Sequence, residues 1–301
     1  MDKISIYEVG TRDGFQSVKE YIPYEVKMEI IDKIVDAGIK HLQITSFVSP
    51  KAIPQMKDAQ EIAAACRSQY PDLDLLALVP NLRGALTADT FGIDRISFVV
   101  SLSESHNKAN INRSHEDSKR ELDSIRNALP EMDICLDVAT AFGCPFEGKK
   151  TTSELLEFIG YYVDHGIQMI NLCDTIGIAN PVQVREVIRE IQKTFAGLDL
   201  MVHIHDTRNM GMVNTLAAIE CGVNKVQSTL GGLGGCPFAP GASGNLATED
   251  LLYMLDEIGC VTGVNLKKLT EASALQCQKI PSGSYSGHLL KVFERQDICY
   301  E

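Results

Sequence analysis

Residues 200–229 read LMVHIHDTRNMGMVNTLAAIECGVNKVQST, and this stretch decides the fold. A short apolar run, Leu200–Ile204, is followed by an amphipathic helical pattern over Asn209–Glu220 and by a second β-branched run, Lys225–Thr229. A strand, a helix and a strand in this order predict two parallel strands that are joined by a right-handed crossover.

The same alternation of strand and helix continues along the whole chain. The predicted strands are Ile4–Val9, His41–Thr45, Leu73–Val79, Arg95–Val100, Asp133–Ala139, Met169–Cys173, Leu200–Ile204 and Lys225–Thr229. The helical patterns between them are Tyr24–Asp36, Pro54–Arg67, Arg83–Phe91, His115–Leu129, Thr152–His165, Pro181–Phe195 and Asn209–Glu220. Eight such units predict an α/β protein with the (β/α)8 TIM-barrel fold.

The domain organisation follows from the uninterrupted alternation. No linker or low-complexity segment divides it, so we predict one catalytic domain over residues 1–301. Two further helical patterns, Ala247–Ile258 and Leu266–Gln278, belong to a C-terminal segment from about residue 246 that we expect to pack on the barrel.

Composition and charge exclude several classes of partner. The formal net charge of −12 argues against nucleic acid, because phosphate binding needs a basic surface. No run of about 18 apolar residues is present, which argues against a membrane span. The N-terminus shows no leader pattern, which predicts a cytoplasmic protein.

The nine cysteines lack repeated CxxC spacing and are expected to be mostly reduced, buried thiols.

Polar residues follow the predicted strands at the end where a TIM barrel carries its chemistry. His203 and His205 are two residues apart in one strand, so both side chains point to the same face. Asp13 follows the first strand, which lies next to the eighth in a closed barrel. Nitrogen and oxygen ligands without clustered thiols favour Mg²⁺ or Mn²⁺, although Zn²⁺ is not excluded. The alternatives are core histidines and an Asp13 that caps a turn or pairs with Arg12.

A glycine-rich stretch, LGGLGGCPFAPGASGN, covers residues 230–245 and carries Cys236 in its middle. So many glycines favour a loop that changes conformation, because glycine adopts backbone angles closed to other residues. Taken alone, Cys236 fits a reactive thiol and a buried structural thiol equally well.

Several motifs together resemble the 3-hydroxy-3-methylglutaryl-CoA (HMG-CoA) lyase family, which belongs to the metal-dependent TIM-barrel lyases and acyl-CoA synthases. The motifs that carry the resemblance cover almost the whole chain and are EVGTRDGFQ, ITSFVSPKAIPQM, FGCPFEG, CDTIGIANP, HIHDT and GGLGGCPFAPGASGNLATEDLLYML. The resemblance implies retro-aldol cleavage of HMG-CoA to acetyl-CoA and acetoacetate.

The resemblance also implies roles for particular residues. The implied metal ligands are Asp13, His203, His205 and Asn245. The implied catalytic set is Arg12, which would stabilise an enolate oxygen, Cys236, which would transfer a proton, and Asp174 and His203 near the metal. The implied substrate contacts are Arg12, Gln43, Asn110 and Asn112, with Lys108 and Arg113 as candidate cations for coenzyme A. Homodimers are common in the family, so we expect a homo-oligomer.

Two positions depart from the family pattern. Gln43 stands where the family has a glutamate, and an amide neither carries charge nor exchanges a proton at neutral pH. Arg208 and Asn209 replace an aromatic residue and a glycine, and Arg208 fits either a loop or a contact with a substrate carboxylate. These changes leave open a related substrate, such as citramalyl-CoA or a 3-substituted glutaryl-CoA. A condensing synthase and a non-catalytic acyl-CoA-binding relative are further alternatives.

Overall fold

A computed structural model describes residues 3–235 and 244–293. Its centre is a closed barrel of eight parallel strands, in the spatial order β1-β10-β9-β8-β5-β4-β3-β2. The barrel strands are β1 (Ser5–Glu8), β2 (His41–Ser46), β3 (Asp74–Leu78), β4 (Arg95–Ser101), β5 (Asp133–Ala139), β8 (Met169–Asp174), β9 (Asp199–Ile204) and β10 (Lys225–Ser228). The predicted TIM barrel is therefore confirmed, and every predicted strand lies within one residue of the observed bounds.

The helices surround the barrel and cover its apolar outer face. They are α1 (Tyr24–Asp36), α2 (Ala59–Gln69), α3 (Leu82–Thr90), α4 (Glu104–Ile111), α5 (His115–Ala128), α6 (Thr152–Asp164), α7 (Pro181–Thr194), α8 (Gly211–Glu220), α9 (Thr248–Glu257), α10 (Leu266–Lys279) and α11 (Leu289–Phe293). Helix α10 packs against both α1 and α9. The assignment of all 301 residues to one domain stays a prediction.

Local signals explain where the helices start. The Asn180 side chain accepts hydrogen bonds from the backbone N–H groups of Val182 and Gln183, and Pro181 occupies the first turn. Serine caps α4, since the Ser103 hydroxyl accepts from His106 N at 3.1 Å. The sequence analysis missed α4 and the short hairpin of β6 (Gly143–Cys144) and β7 (Gly148–Lys149).

The predicted helix Pro54–Arg67 was wrong at its start. A separate 3-10 turn, Pro54–Met56, precedes α2. The Gln55 amide is turned inward, where it accepts from Ile22 N and donates to Val18 O. Asp58 is buried in an ion pair with Lys27 at 2.8 Å. These tertiary contacts hold the segment away from a regular helix, although its hydrophobic periodicity is helical.

The seam between β1 and β10 depends on a buried carboxylate. Glu8 Oε1 accepts from Gly10 N at 2.8 Å and from Leu230 N at 3.0 Å. Glu8 Oε2 accepts from the Thr248 hydroxyl at 2.5 Å. We call Glu8, Gly10, Leu230 and Thr248 the seam cluster. Burial raises the pKa of Glu8 to about 7, although the hydrogen bonds of the cluster act to lower it.

In the part of the chain that the structure describes, no helix combines the length and the apolar character needed to cross a bilayer.

The raised pKa of Glu8 predicts how stability depends on pH. Between the ordinary value near 4.5 and about 7, the folded protein binds a proton at Glu8 that the unfolded chain releases. Stability from this group is therefore lost as pH rises through that window. Between pH 4.5 and 8, we expect the unfolding free energy of wild type to fall by about 3 kcal/mol more than that of Glu8→Gln.

Denaturant unfolding of both proteins across this pH range measures the difference. The glutamine fits the seam cluster, because its oxygen still accepts from both backbone groups and its amide nitrogen donates to Thr248. Glu257→Gln, on an exposed glutamate, is the control and should follow wild type. Parallel pH profiles for wild type and Glu8→Gln would contradict the prediction.

Candidate functional site

A cavity of about 510 Å³ opens at the carboxyl ends of the barrel strands. Its lining includes Arg12, Asp13, Asp137, Cys173, His203 and His205. Below it, apolar and sulfur-containing side chains fill the barrel interior. This lower cluster consists of Tyr7, Leu76, Cys135, Met169 and Met201. The cavity therefore has a closed floor and one open side.

His203 and His205 lie side by side at the end of β9, as their spacing predicts. Their Nε2 atoms are 3.0 Å apart, and both rings are buried. Burial, together with the neighbouring His205 ring, lowers the pKa of His203 to about 3. Burial also lowers the pKa of His205. Both imidazoles are therefore neutral near pH 7, which is the form that binds metal ions.

Asp13 completes a three-residue cluster with these histidines. Ligand atoms of Asp13, His203 and His205 all lie within 4.8 Å of one another. Desolvation acts to raise the pKa of Asp13, but the Arg12 guanidinium and the two rings lower it to about 2. Asp13 is carried by a tight helical turn, Gly10–Gly14, directly after β1. Barrel closure brings this turn to β9 because β10 pairs with both β1 and β9.

Asn245 reaches the same cluster from the far end of the glycine-rich stretch. Its Nδ2 donates to Asp13 Oδ2 at 2.7 Å and to Leu233 O at 3.2 Å. Its amide oxygen is buried and has no hydrogen-bond partner among the described residues. An acceptor left without a partner is costly unless something binds it. Two neutral imidazoles, a carboxylate and this amide oxygen fit a divalent metal ion.

Arg12 lies beside the candidate metal ligands and is almost fully buried. Its Nη1 donates to Asp13 Oδ1 at 2.6 Å. Its Nε donates to the Gln43 side-chain oxygen. Gln43 is buried behind Arg12, and its Nε2 donates to the Ser97 hydroxyl at 2.7 Å. The amide at position 43 therefore uses both of its ends to hold Arg12 against the cavity.

Comparisons with known proteins agree with this geometry. The HMGL-like family model matches residues 3–275. The chain belongs to the HMG-CoA lyase family. Mitochondrial hydroxymethylglutaryl-CoA lyase from Macaca fascicularis is 40% identical over 280 residues, which cover 92% of this chain and 86% of that protein. The predicted family is confirmed, and the protein is a carbon–carbon lyase.

Two solved HMG-CoA lyases share the whole fold. The Bacillus subtilis enzyme superposes with a TM-score of 0.93 at 36% identity, covering 98% of this chain and 99% of that one. The Acinetobacter baumannii enzyme, in complex with coenzyme A and 3-methylmalate, also has a TM-score of 0.93 at 36% identity, with coverage of 100% and 98%. The barrel and its extra helices are therefore those of the HMG-CoA lyase fold.

Asp174, a residue of the predicted site, lies outside the cavity. Asp174 pairs in register with Ile204, whereas its neighbour Cys173 pairs with His203 and lines the cavity. Since strand side chains alternate between faces, Asp174 points away from the cluster of Asp13, His203 and His205, which we call the metal cluster. Its oxygens accept from Ile178 N and Ala179 N, each at 3.0 Å. Burial raises the pKa of Asp174 to about 6.

Arg208 supports the same loop as Asp174. Its Nη1 donates to Ile176 O at 2.7 Å and to Gly177 O at 3.1 Å. Arg208 is exposed and contacts backbone carbonyls of the loop after β8. A contact of Arg208 with a substrate carboxylate stays a prediction.

Some of the predicted coenzyme A contacts line the cavity and others do not. Asn110 and Arg113 line the cavity. Asn112 ends α4 with a left-handed backbone, φ 54°. Lys108 is exposed and pairs with Glu104 at 3.1 Å. Cys236 lies outside the described residues, although Gly235 next to it lines the cavity.

Asp137 and His106 line the cavity and were missed by the sequence analysis. Asp137 lies inside the predicted strand Asp133–Ala139. A charged residue among apolar strand residues is unusual, and this could have marked Asp137 as a functional candidate. His106 lies on α4, which was not predicted, and its Nδ1 hydrogen-bonds the Ser101 hydroxyl at 2.7 Å. Burial lowers the pKa of His106 to about 4.

The cluster predicts where divalent ions bind. We expect His205→Ala to weaken Mn²⁺ binding by at least about tenfold, because one imidazole ligand is lost. Calorimetric titration of Mn²⁺ into chelator-stripped protein measures the affinity. His106→Ala is the matched control, since it removes another buried histidine from the same cavity. Equal Mn²⁺ affinity in wild type and His205→Ala would show that the ion binds elsewhere.

Proposed function

We propose that this lyase cleaves a 3-hydroxyacyl-CoA, with HMG-CoA as the principal substrate and acetyl-CoA and acetoacetate as products. The observation that carries the proposal is the cluster of Asp13, His203 and His205 beside the Arg12 guanidinium at the cavity, with Asn245 hydrogen-bonded to Asp13. In this proposal, the Arg12 guanidinium and a bound metal ion would stabilise the negative charge that a substrate oxygen gains during cleavage.

The cofactor we propose is Mg²⁺ or Mn²⁺, held by Asp13, His203, His205 and Asn245. Oxygen and imidazole ligands without thiolates suit these ions, and Zn²⁺ also accepts such ligands. When bound, the ion would supply Lewis acidity to an oxygen of the substrate.

In this proposal, Arg12 stabilises the negative charge that develops on the substrate during cleavage. The 3-hydroxyl group loses its proton to water, and its oxygen forms the new carbonyl of acetoacetate. The bond between C2 and C3 breaks at the same time, and its electron pair moves toward the thioester oxygen. The hydrogen bonds of Arg12 to Asp13 and Gln43 fix its orientation before the substrate arrives. Little reorganisation is then needed when charge develops.

We infer that Cys236 protonates the acetyl-CoA carbanion. Its segment starts at Gly235, which lines the cavity, and returns to the cluster at Asn245. The described residues on either side of Cys236 therefore reach the cavity at Gly235 and Asp13 at Asn245. Asp174 acts as a positioning residue in this scheme, because its carboxylate holds the loop after β8.

The remaining assignments concern partners and location. An acyl-CoA ligand agrees with the family, and we propose Asn110 and Arg113 at the cavity rim as contacts for its coenzyme A portion. A homodimer and a cytoplasmic location stay predictions.

A related substrate is the second candidate. It is favoured by Gln43, which is neutral where the family has a carboxylate, and by the 3-methylmalate bound to the A. baumannii relative. Citramalyl-CoA and 3-substituted glutaryl-CoA thioesters are the compounds to compare with HMG-CoA. Higher kcat/KM on one of them, under the same metal conditions, would replace HMG-CoA in the proposal.

The role of Arg12 is tested by Arg12→Lys. We expect kcat for acetyl-CoA release from HMG-CoA to fall by about 100-fold or more, because lysine lacks the planar group that binds Asp13 and Gln43 together. Rates are measured with Mg²⁺ or Mn²⁺ and after chelation. Arg208→Lys is the matched control, since Arg208 contacts loop carbonyls outside the cavity. No metal-dependent acetyl-CoA release by wild type from any of these thioesters would overturn the proposed function.

The thiol at position 236 is tested by Cys236→Ser. We expect kcat to fall on the order of 100-fold, because a hydroxyl is a much weaker proton donor than a thiol. Mn²⁺ binding should stay unchanged in this variant. Cys221→Ser, on a partly exposed cysteine, should retain full activity. Full activity of Cys236→Ser would remove the cysteine from the mechanism.

A further inference from the structure

Asp137 is a buried carboxylate that lines the cavity and that the mechanism above does not use. It lies on β5, opposite Asn171 of β8 in register. Two residues farther along β8, Cys173 lies opposite His203. Asp137 is therefore one inward-facing layer below the metal cluster, at the floor of the cavity.

The contacts of Asp137 are hydrogen bonds and not an ion pair. Its Oδ1 accepts from Asn171 Nδ2 at 2.9 Å and from Cys135 Sγ at 3.7 Å. Among the described residues, no lysine or arginine nitrogen lies within 4.0 Å of its oxygens, and Arg12 acts on it only through its field. A buried carboxylate without a direct cation is expensive, and such groups often mark places where a ligand binds.

Gln43 connects Arg12 to the strand next to the one that carries Asp137. Its oxygen accepts from Arg12, and its Nε2 donates to the Ser97 hydroxyl. Ser97 lies on β4, which pairs with β5, and it acts to lower the pKa of Asp137. A glutamate at position 43 would place a second carboxylate beside Arg12. The glutamine thus leaves Asp137 as the carboxylate of the cavity floor. Burial raises the pKa of Asp137, whereas Asn171 acts to lower it.

We propose that Asp137 is a specificity-determining residue that contacts the acyl part of the substrate and selects a hydrogen-bond donor, such as a second hydroxyl group, over a methyl group. This inference rests on the proposed function, because it concerns the acyl group that the lyase cleaves.

The physical reason is the unused acceptor capacity of Asp137. A carboxylate offers about four acceptor positions, and Asn171 and Cys135 occupy two of them. A methyl group packed against the unoccupied positions would displace water and return no hydrogen bond. Sites built to bind a substrate hydroxyl discriminate strongly against analogues that lack it.

Two thioesters that differ in one group test the proposal. One is HMG-CoA, and the other is 3-hydroxy-3-(hydroxymethyl)glutaryl-CoA, in which the methyl branch carries a hydroxyl. Cleavage breaks the same carbon–carbon bond in both and yields acetyl-CoA with acetoacetate or 4-hydroxyacetoacetate. We expect wild type to prefer the hydroxymethyl thioester by at least about tenfold in kcat/KM.

Variants of Asp137 should change this preference in a graded way. Asp137→Asn keeps an acceptor oxygen and the size of the side chain, so part of the preference should remain. Asp137→Leu removes the acceptor and should abolish the preference. Asp58→Asn is the control, because Asp58 is equally buried but lies outside the cavity against Lys27. It should leave the ratio unchanged even if stability falls.

The double variant Gln43→Glu/Asp137→Asn moves the carboxylate from β5 to β2. It should keep no more of the preference for the hydroxymethyl thioester than Asp137→Asn alone, because the charge then lies beside Arg12 and not at the cavity floor. The thermal midpoint of the double variant shows whether the exchange is tolerated. A double variant with the full wild-type preference would contradict the assignment to Asp137.

A binding measurement separates this inference from the proposed function. Calorimetry with CoA and Mg²⁺ present compares acetoacetate with 4-hydroxyacetoacetate on wild type and Asp137→Leu. Tighter binding of the hydroxy compound by wild type alone supports the inference even if neither thioester is cleaved, in which case only the proposed function fails. Equal binding of the two acids together with equal kcat/KM would overturn the inference.

Discussion

The carboxylate of Glu8 is the constraint on which the site depends. It joins the end of the first strand to Leu230 and Thr248, which are more than 200 residues away in sequence. The same side chain fixes Gly10, where the turn that carries Arg12 and Asp13 begins. One buried group thus closes the barrel seam, sets the catalytic turn and fixes the start of the glycine-rich stretch. Its desolvation opposes ionisation, and the donated hydrogen bonds offset part of that cost.

Among the described residues that line the cavity, Arg12 is the buried cation around which the charged groups lie. Arg12 contacts Asp13 and Gln43 directly, and its field reaches Asp137. Gln43 is neutral where the family has a glutamate, and Asp137 is the carboxyl group at the cavity floor. Because interactions between charges are strong where water is excluded, we expect the position of a carboxyl group to affect both the orientation of Arg12 and the acyl groups that fit.

Much of the fold could be predicted because its signals are local. Each strand is a short apolar run, and each helix shows an amphipathic period or a capping residue such as Asn180. The prediction failed where side chains from distant segments intervene. Gln55 and Asp58 are held by residues 18–27, and this breaks a segment whose pattern is helical. Helix α4 was missed because its residues are mostly polar and lack an apolar face.

The sequence by itself determined the eight units of the barrel, the family and the residue types of the metal cluster, because spacing along one strand already places His203 and His205 on one face. Only the tertiary structure decided which other groups reach that face. Asp174 and Cys173 are adjacent in sequence, yet strand register turns Cys173 into the cavity and Asp174 away from it. Asp13 and Asn245 meet through a 2.7 Å hydrogen bond because the barrel closes between its first and last strands. Side-chain direction and closure depend on pairing between distant strands, which no local pattern records.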